Sequence, residues 1–344
     1  MSNQTKGSRD EGELLAPCYH GNHIDGAVAV LGRERRNQKV VMVQDGSRWW
    51  GIDLGGTKIE VVVCEGTSEV LRPLMRKRTL TERERGYRAI IDTVATLVHA
   101  VAAELGEGPG RVGIGTPGVV DPQTGQLKNS NTGCLNGRPI EADLAASIGC
   151  PVRVANDANC FALAEARYGA GKGAAIVFGV ILGTGVGGGV VVNGQVRYGL
   201  QGIAGEWGHN VLDRAGPPCY CGKQGCVETL LSGPALEARF YQSTGKRLRL
   251  AEIAERAAAG DGEALRLRDE ARADFRQAIA VVINILDPDR IVLGGGVSNL
   301  DWFDDPDLFV GTPDVFNTSV RNPIVRNQLG DSAGVYGAAL LVAG

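Results

Sequence analysis

The stretch "CYCGKQGCVE" places three cysteines close together (Cys219, Cys221 and Cys226), and His209 lies a short way upstream. One imidazole and three thiolates fill a tetrahedral Zn²⁺ shell and leave no position open for water. The set therefore predicts a structural metal site, not hydrolytic chemistry. A redox pair is disfavoured, because C-x-C is not the C-x-x-C of thioredoxin-like proteins. Ordinary buried thiols are the bland alternative, against which stand the clustering, Gly222 and Gly225 between the ligands, and the upstream histidine. A second group with chemistry is Asp157 in "ANDANC", where an apolar run gives way to a helical pattern. Asn156 or Asp157 can cap the first helical N–H groups. Asp157 can also serve as a general base that accepts the proton of an attacking hydroxyl. Both roles can hold at once, since ligands gather at strand ends in α/β clefts.

Three glycine-rich turns follow apolar runs: "DLGGTK" at 53–58, "GTGVGGG" at 183–189 and "GGGVS" at 294–298. A glycine turn at a strand end lets backbone N–H groups approach phosphate oxygens with no Cβ in the way. Each turn alone is a weak signal, for none satisfies a Walker pattern or a complete dinucleotide fingerprint. Together, with Asp53, Thr57 and Lys58 on the first, they predict a nucleotide phosphate site.

The elements that must position these groups are legible in outline. "WWGIDLGGTKIEVVVCEG" reads as a strand, a Gly55-Gly56 turn and a returning strand, a hairpin by its turn chemistry. A further strand is expected over Glu69–Arg78. The spacing of Ala89, Ile90, Val94, Leu97, Val98 and Val101 then predicts a helix. "RVGIGTPGVV" is a strand running into a loop, and "PVRVAND" is a strand that delivers Asn156 and Asp157 to its end. "AAIVFGVILGTGVGGGVVVNGQVRYG" repeats the strand, glycine turn, strand plan, with Asn193-Gly194 as a second hairpin signal. This hints at a duplicated α/β architecture. Helices dominate from Gly233 to Leu286, "RIVLGGGVS" is a buried strand, and "SAGVYGAALLVA" is a helix of small residues. Cys64, Cys160 and Trp207 are expected in the core.

Composition narrows the function classes. The 344 residues suffice for two domains, and 43% hydrophobic with 22% charged residues is a globular balance. A net charge of −3 without a Lys/Arg-rich run disfavours a nucleic-acid partner. Fifty glycines are about twice the ordinary share of ~7%, which suggests tight turns and backbone close to a ligand. No membrane-length apolar run and no secretory pattern is evident, so a reducing cytoplasm is expected and a disulfide framework is not. Residues 1–48 are read as an irregular extension, save the short apolar "KVVMV".

The motifs "GIDLGGTK", "GTPG", "ANDANC", "GTGVGGG", "AGEWGH", "CYCGKQGCVE" and "LGGGVSN" occur in this order over residues 50–344. Together they resemble the ROK family of sugar kinases, repressors and open reading frames. "KNSNTGCLNGRPI", "PCYCGKQGCVET" and "NILDPDRIVLGGG" look most like its bacterial fructokinase/mannokinase branch, although N-acetylglucosamine kinases share most motifs. The link "NVLDRAGPPC" is shorter than fructokinases of this type can carry. The resemblance implies an actin-like ATPase (ribonuclease H-like) fold of two α/β domains around a cleft. They would span 49–172, completed by a C-terminal helix at 328–344, and 173–327 with the zinc site. By the same resemblance Asp157 is the catalytic base. Asn131, Asn156, Glu206, His209 and Glu228 match sugar-binding positions. Gly55, Gly56, Thr57, Lys58, Gly183, Thr184, Gly185, Gly294, Gly295 and Gly296 match ATP contacts, with Asp53 near Mg²⁺. The zinc clip would fix the loop from which Glu228 reaches the sugar.

The implied activity is ATP-dependent phosphorylation of a hexose 6-hydroxyl. Fructose is expected first, mannose or glucose as slower substrates, and N-acetylglucosamine as the alternative. A homodimer is implied too. A sugar-sensing repressor is the reading from another class. It is disfavoured because residues 1–48 lack two helical periods and a basic recognition helix.

Overall fold

The computed structural model describes residues 48–67 and 69–343. The irregular extension expected over 1–48 therefore lies outside the described residues, except for Arg48, which opens the first strand. In chain order the first half comprises β1 (Arg48–Leu54), β2 (Lys58–Gly66), β3 (Leu71–Leu80), α1 (Tyr87–Leu105) and β4 (Val112–Thr116). A short ribbon follows, β5 (Val119–Val120) with β6 (Leu127–Lys128), then α2 (Ile140–Ile148), β7 (Val152–Asn156) and α3 (Asp157–Tyr168). The second half comprises β8 (Ile176–Leu182), β9 (Val186–Val192), β10 (Gln195–Val196), α4 (Val227–Leu231) and α5 (Gly233–Thr244). It continues through α6 (Leu250–Ala258), α7 (Gly262–Leu286), β11 (Arg290–Gly294) and β12 (Ile324–Arg326), and α8 (Ala333–Leu340) closes the chain.

The two sheets share one plan. The first has the order β3-β2-β1-β4-β7 and the second β10-β9-β8-β11-β12. In each, the first three strands meander antiparallel and the last two add in parallel. The duplication hinted at by the paired strand, glycine turn, strand segments is thus realised strand for strand. Ile52 sits opposite Val61 and Ile114, as Val180 sits opposite Gly188 and Leu293.

The central strands are apolar on both faces because helices cover both. Trp50, Ile52 and Leu54 pack with Ile90, Val94 and Val98 of α1. Phe178, Val180 and Leu182 pack with Phe275 and Ile279 of α7. Between the sheets lie α8, against β1 and β4, and α3, against β8 and β9, and the two helices also pack on each other. This middle layer accounts for part of the glycine excess. A Cβ at Gly113 of β4 would run into the Ala338 carbonyl of α8, and one at Gly337 of α8 into the Cys160 carbonyl of α3. Such glycines serve backbone-to-backbone packing, a use distinct from the turns and ligand contacts expected from the sequence. Asn193 and Gly194, with φ of 51° and 69°, form the hairpin turn their sequence predicts.

Candidate active site

At the end of β7 the chain turns directly into α3. The Ala158 N–H donates to Asn156 Oδ1 at 2.9 Å and to Asp157 Oδ1 at 2.7 Å. Both residues therefore share the capping role, while Asp157 Oδ2 has no protein partner among the described residues. The side chain faces a cleft of about 1030 Å³. The same cleft is lined by Asn131, Asn156, Gly183, Thr184, Gly185, Glu206, His209 and Glu228, so the expected sugar set and the second glycine turn do converge. The first and third turns do not line it: Asp53, Gly55, Gly56, Thr57 and Lys58 lie outside its wall, as do Gly294, Gly295 and Gly296.

Those outlying turns remain coupled to the cleft. The Asp53 carboxyl is pushed up to about 6, first by burial and then by the neighbouring charge of Asp157, against the pull of Arg78. At the third turn, Gly295 has φ of 87° and a Cβ there would meet the carbonyl of Leu182, the residue that leads into Gly183. Gly296 has open space where a Cβ would stand. A Cβ at Gly294 would run into the Phe161 ring, so core packing by itself requires a glycine there.

Asp157 itself is pushed up to about 6, chiefly by lost solvation at the cleft floor and then by the charge of Glu206, with the Ala158 N–H opposing. Water reaches this carboxylate through the cleft mouth. Solvent there screens the charge of Glu206. Burial raises the Glu206 carboxyl as well, and Glu228 adds to the rise while His209 counters it.

Glu206 and His209 stand on one short turn, and Glu228 on the first turn of α4. Backbone hydrogen bonds staple these segments: Val227 N–H donates to the Asn210 carbonyl at 3.0 Å and Leu212 N–H to that of Gly225 at 2.8 Å. The Glu228 carboxylate in turn accepts from the Val186 N–H at 2.9 Å, at the base of the 183–185 turn. Trp207 is core, as expected. It is 4% exposed, its Nε1 donates to the Gly187 carbonyl, and its ring meets Phe178 and Phe275 edge-on. Cys64 and Cys160 are likewise fully buried.

His209, Cys219, Cys221 and Cys226 bring their ligand atoms within 4.8 Å of one another. His209 Nδ1 lies 3.6 Å from Cys219 Sγ, and Cys221 Sγ lies 3.6 Å from Cys226 Sγ. A tetrahedral Zn²⁺ with Zn–S of about 2.3 Å would separate its sulfurs by about 3.8 Å, so the donor set and its spacing fit zinc. The ring engages this cluster through Nδ1 and turns Nε2 toward the Tyr220 hydroxyl at 3.0 Å. His209 therefore faces the cysteine cluster with one ring nitrogen and is paired with Tyr220, another cleft-lining residue, through the other.

Several lining residues were not singled out from the sequence: Ser130, Asn136, Tyr220 and Lys223 among the polar ones, Ile203 and Ile285 among the apolar ones. Asn136 exchanges two hydrogen bonds with the Ser130 backbone at 2.9 Å and so shapes the loop that carries Asn131. The run "KNSNTGCLN" held this signal, in asparagines spaced across a loop.

The ROK family model matches residues 49–344. An N-acetyl-D-glucosamine kinase of Pasteurella multocida is 38% identical over 304 residues, covering 85% of this chain and 98% of that protein. Among solved structures, a ROK hexokinase from Thermus thermophilus superposes with a TM-score of 0.74 at 33% identity, covering 86% of this chain and 97% of its own. A ROK family glucokinase from Streptomyces griseus, solved with glucose and AMPPNP, superposes with a TM-score of 0.70 at 29% identity, covering 86% and 99%. Relatives at 35–38% identity, this one among them, are N-acetyl-D-glucosamine kinases and not fructokinases or mannokinases, which corrects the branch expected from "KNSNTGCLNGRPI" and its companions. With the family model matched along nearly every described residue, and with the actin-like ATPase fold that its members share, the chain belongs to the ROK family.

Proposed function

We propose that this ROK protein is an ATP-dependent sugar kinase that transfers the γ-phosphoryl group of ATP to the 6-hydroxyl of N-acetylglucosamine. The observation that carries the substrate is the 38% identity to an N-acetyl-D-glucosamine kinase along almost the whole of that enzyme. Fructose no longer leads. Glucose is the second reading, favoured by the likeness to the Streptomyces griseus glucokinase solved with glucose, at 29% identity.

In this reading Asp157 is the base. Its Oδ1 is held by the Ala158 N–H, and Oδ2 is left to take the proton of the attacking hydroxyl. A carboxyl near pH 6 is ionised at neutral pH yet more basic than an ordinary aspartate, which suits a general base. Glu206, Glu228, Asn131 and Asn156 offer acceptors and donors for the sugar hydroxyls, and His209 Nε2 would add a donor if a bound sugar took the place of Tyr220 beside it. A sugar lacking one of these hydroxyls would leave a buried polar group unpaired, at about 1–3 kcal/mol. The backbone of the 183–185 turn, with those at 53–58 and 294–296, would cradle the phosphates. Mg²⁺ arriving with ATP would neutralise phosphate charge, and the family resemblance supports Asp53 as the carboxylate that would lie near it. Zn²⁺ held by His209, Cys219, Cys221 and Cys226 would fix the Glu228 segment and take no part in the chemistry.

A coupled ADP-release assay with N-acetylglucosamine, N-acetylmannosamine, glucose, mannose and fructose run side by side tests this reading. The expected result is the highest kcat/KM with N-acetylglucosamine. A clear preference for glucose or fructose would keep the kinase and overturn the substrate. No turnover with any of them would overturn both.

A further inference from the structure

Glu165 lies on α3, two turns beyond Asp157, and is fully buried. No lysine or arginine pairs with it among the described residues. Its carboxylate is satisfied by backbone alone: Oε2 accepts from the Ala170 N–H at 2.8 Å and the Gln328 N–H at 3.1 Å, and Oε1 from the Leu329 N–H at 2.8 Å. Ala170 stands on the link from α3 to β8, where the chain first passes from the first sheet to the second. Gln328 and Leu329 stand on the link from β12 to α8, where it returns. One carboxylate thus binds both crossings between the two halves.

The surroundings are built around this contact. The Glu165 carbonyl accepts from the Gly169 and Gly171 N–H groups at 3.1 and 2.9 Å. A Cβ at Gly169 would run into the Glu165 carboxylate. Arg290 Nη1 donates to the Ala170 carbonyl at 2.8 Å from the neighbouring strand β11. Burying an unpaired carboxylate is costly, and charge-assisted bonds from several fixed N–H groups are what offset that cost here. Losing the donors of one crossing would leave the buried carboxylate under-satisfied and weaken its hold on the other, which couples the two crossings.

We propose that Glu165 is a positioning residue, the pivot that couples the two crossings so that the halves close over the cleft as rigid bodies and keep Asp157 aligned with the transferred group. The coupling of the crossings stands on geometry alone, and its catalytic consequence rests on the kinase reading above.

The test is amide hydrogen exchange on the full chain, wild type and Glu165→Gln, with kinetics on the same preparations. In the wild type the Ala170, Gln328 and Leu329 amides should exchange in one concerted step. In Glu165→Gln, which keeps one acceptor oxygen, all three should exchange about tenfold faster or more, while amides in α7 are unmoved. The variant should also raise the sugar KM and release more ADP per sugar phosphorylated, because imperfect closure admits water. Independent exchange of the two crossings in the wild type overturns the coupling, whether or not the variant folds and whether or not the sugar is turned over. Faster exchange with KM, kcat and the ADP-to-product ratio all at wild-type values overturns the positioning role and leaves only a structural tie.

Discussion

The carboxylate of Glu228 accepts the Val186 N–H at 2.9 Å, and a Cβ at Gly185 would stand 2.6 Å from the same oxygen. The segment next to the cysteine cluster and the glycine turn between β8 and β9 are therefore tied through this carboxylate. A residue proposed for the sugar positions a turn proposed for the phosphates.

Glu228→Ala should accordingly disturb both substrates. Losing a charge-assisted hydrogen bond and a sugar acceptor together predicts a fall in kcat/KM of about 10–100-fold. The KM for ATP should rise along with that for sugar. A change confined to sugar KM would show that the Val186 contact is dispensable.

Removal of the metal should act through the same unit. Cys221→Ser is predicted to lower bound zinc, measured by elemental analysis, and to raise sugar KM several-fold, by the logic of supporting contacts around a site. Chelation followed by zinc addition should reverse the effect in the wild type. Wild-type activity in a zinc-free preparation would remove the metal from the account.

The cleft carboxylates make a stability prediction whose sign is fixed. Folding raises Asp157 from 3.8 to about 6, so its favourable contribution is full below the unfolded value and is lost as pH rises through the folded one. Above that window the ionised group weakens the ligand-free fold. Asp157→Asn should therefore raise the thermal midpoint of the ligand-free protein at about pH 8, with the gain shrinking toward pH 5. The rate moves oppositely: wild-type kcat/KM should fall as pH drops through about 6, with Asp53 and Asp157 titrating as an interacting pair.

The middle layer gives a prediction remote from the site. Gly337→Ala would press a methyl on the Cys160 carbonyl, where helix backbone cannot yield easily. A loss of about 1–3 kcal/mol in urea unfolding is expected. An unchanged midpoint would mean that α8 can shift away from α3 without cost.

Much of this was readable in advance wherever the cause was local. Gly55-Gly56 and Asn193-Gly194 specify hairpins through turn chemistry, and both hairpins form. The histidine and three cysteines declare their chemistry by type and spacing, and they converge. What escaped was set by distant contacts. Tyr220 sits within the cysteine run, yet nothing local says that its hydroxyl meets His209 Nε2. Ile285 reads as one more helical apolar residue until α7 is seen to lie along the cleft. At Gly294 the turn motif does not tell that a Cβ would also run into the Phe161 ring of α3. The sugar branch is hidden from the motifs for the same reason: substituents at one carbon are discriminated by pocket shape, which no single motif encodes.

The central claim is that Asp157 takes the proton of the hydroxyl being phosphorylated. The direct measurement is single-turnover phosphorylation of N-acetylglucosamine by wild type and Asp157→Asn, with sugar binding followed by calorimetry on both. A loss of about 10²–10⁴-fold in the chemical step is expected, with sugar affinity nearly unchanged. A variant that phosphorylates at close to the wild-type rate would contradict it.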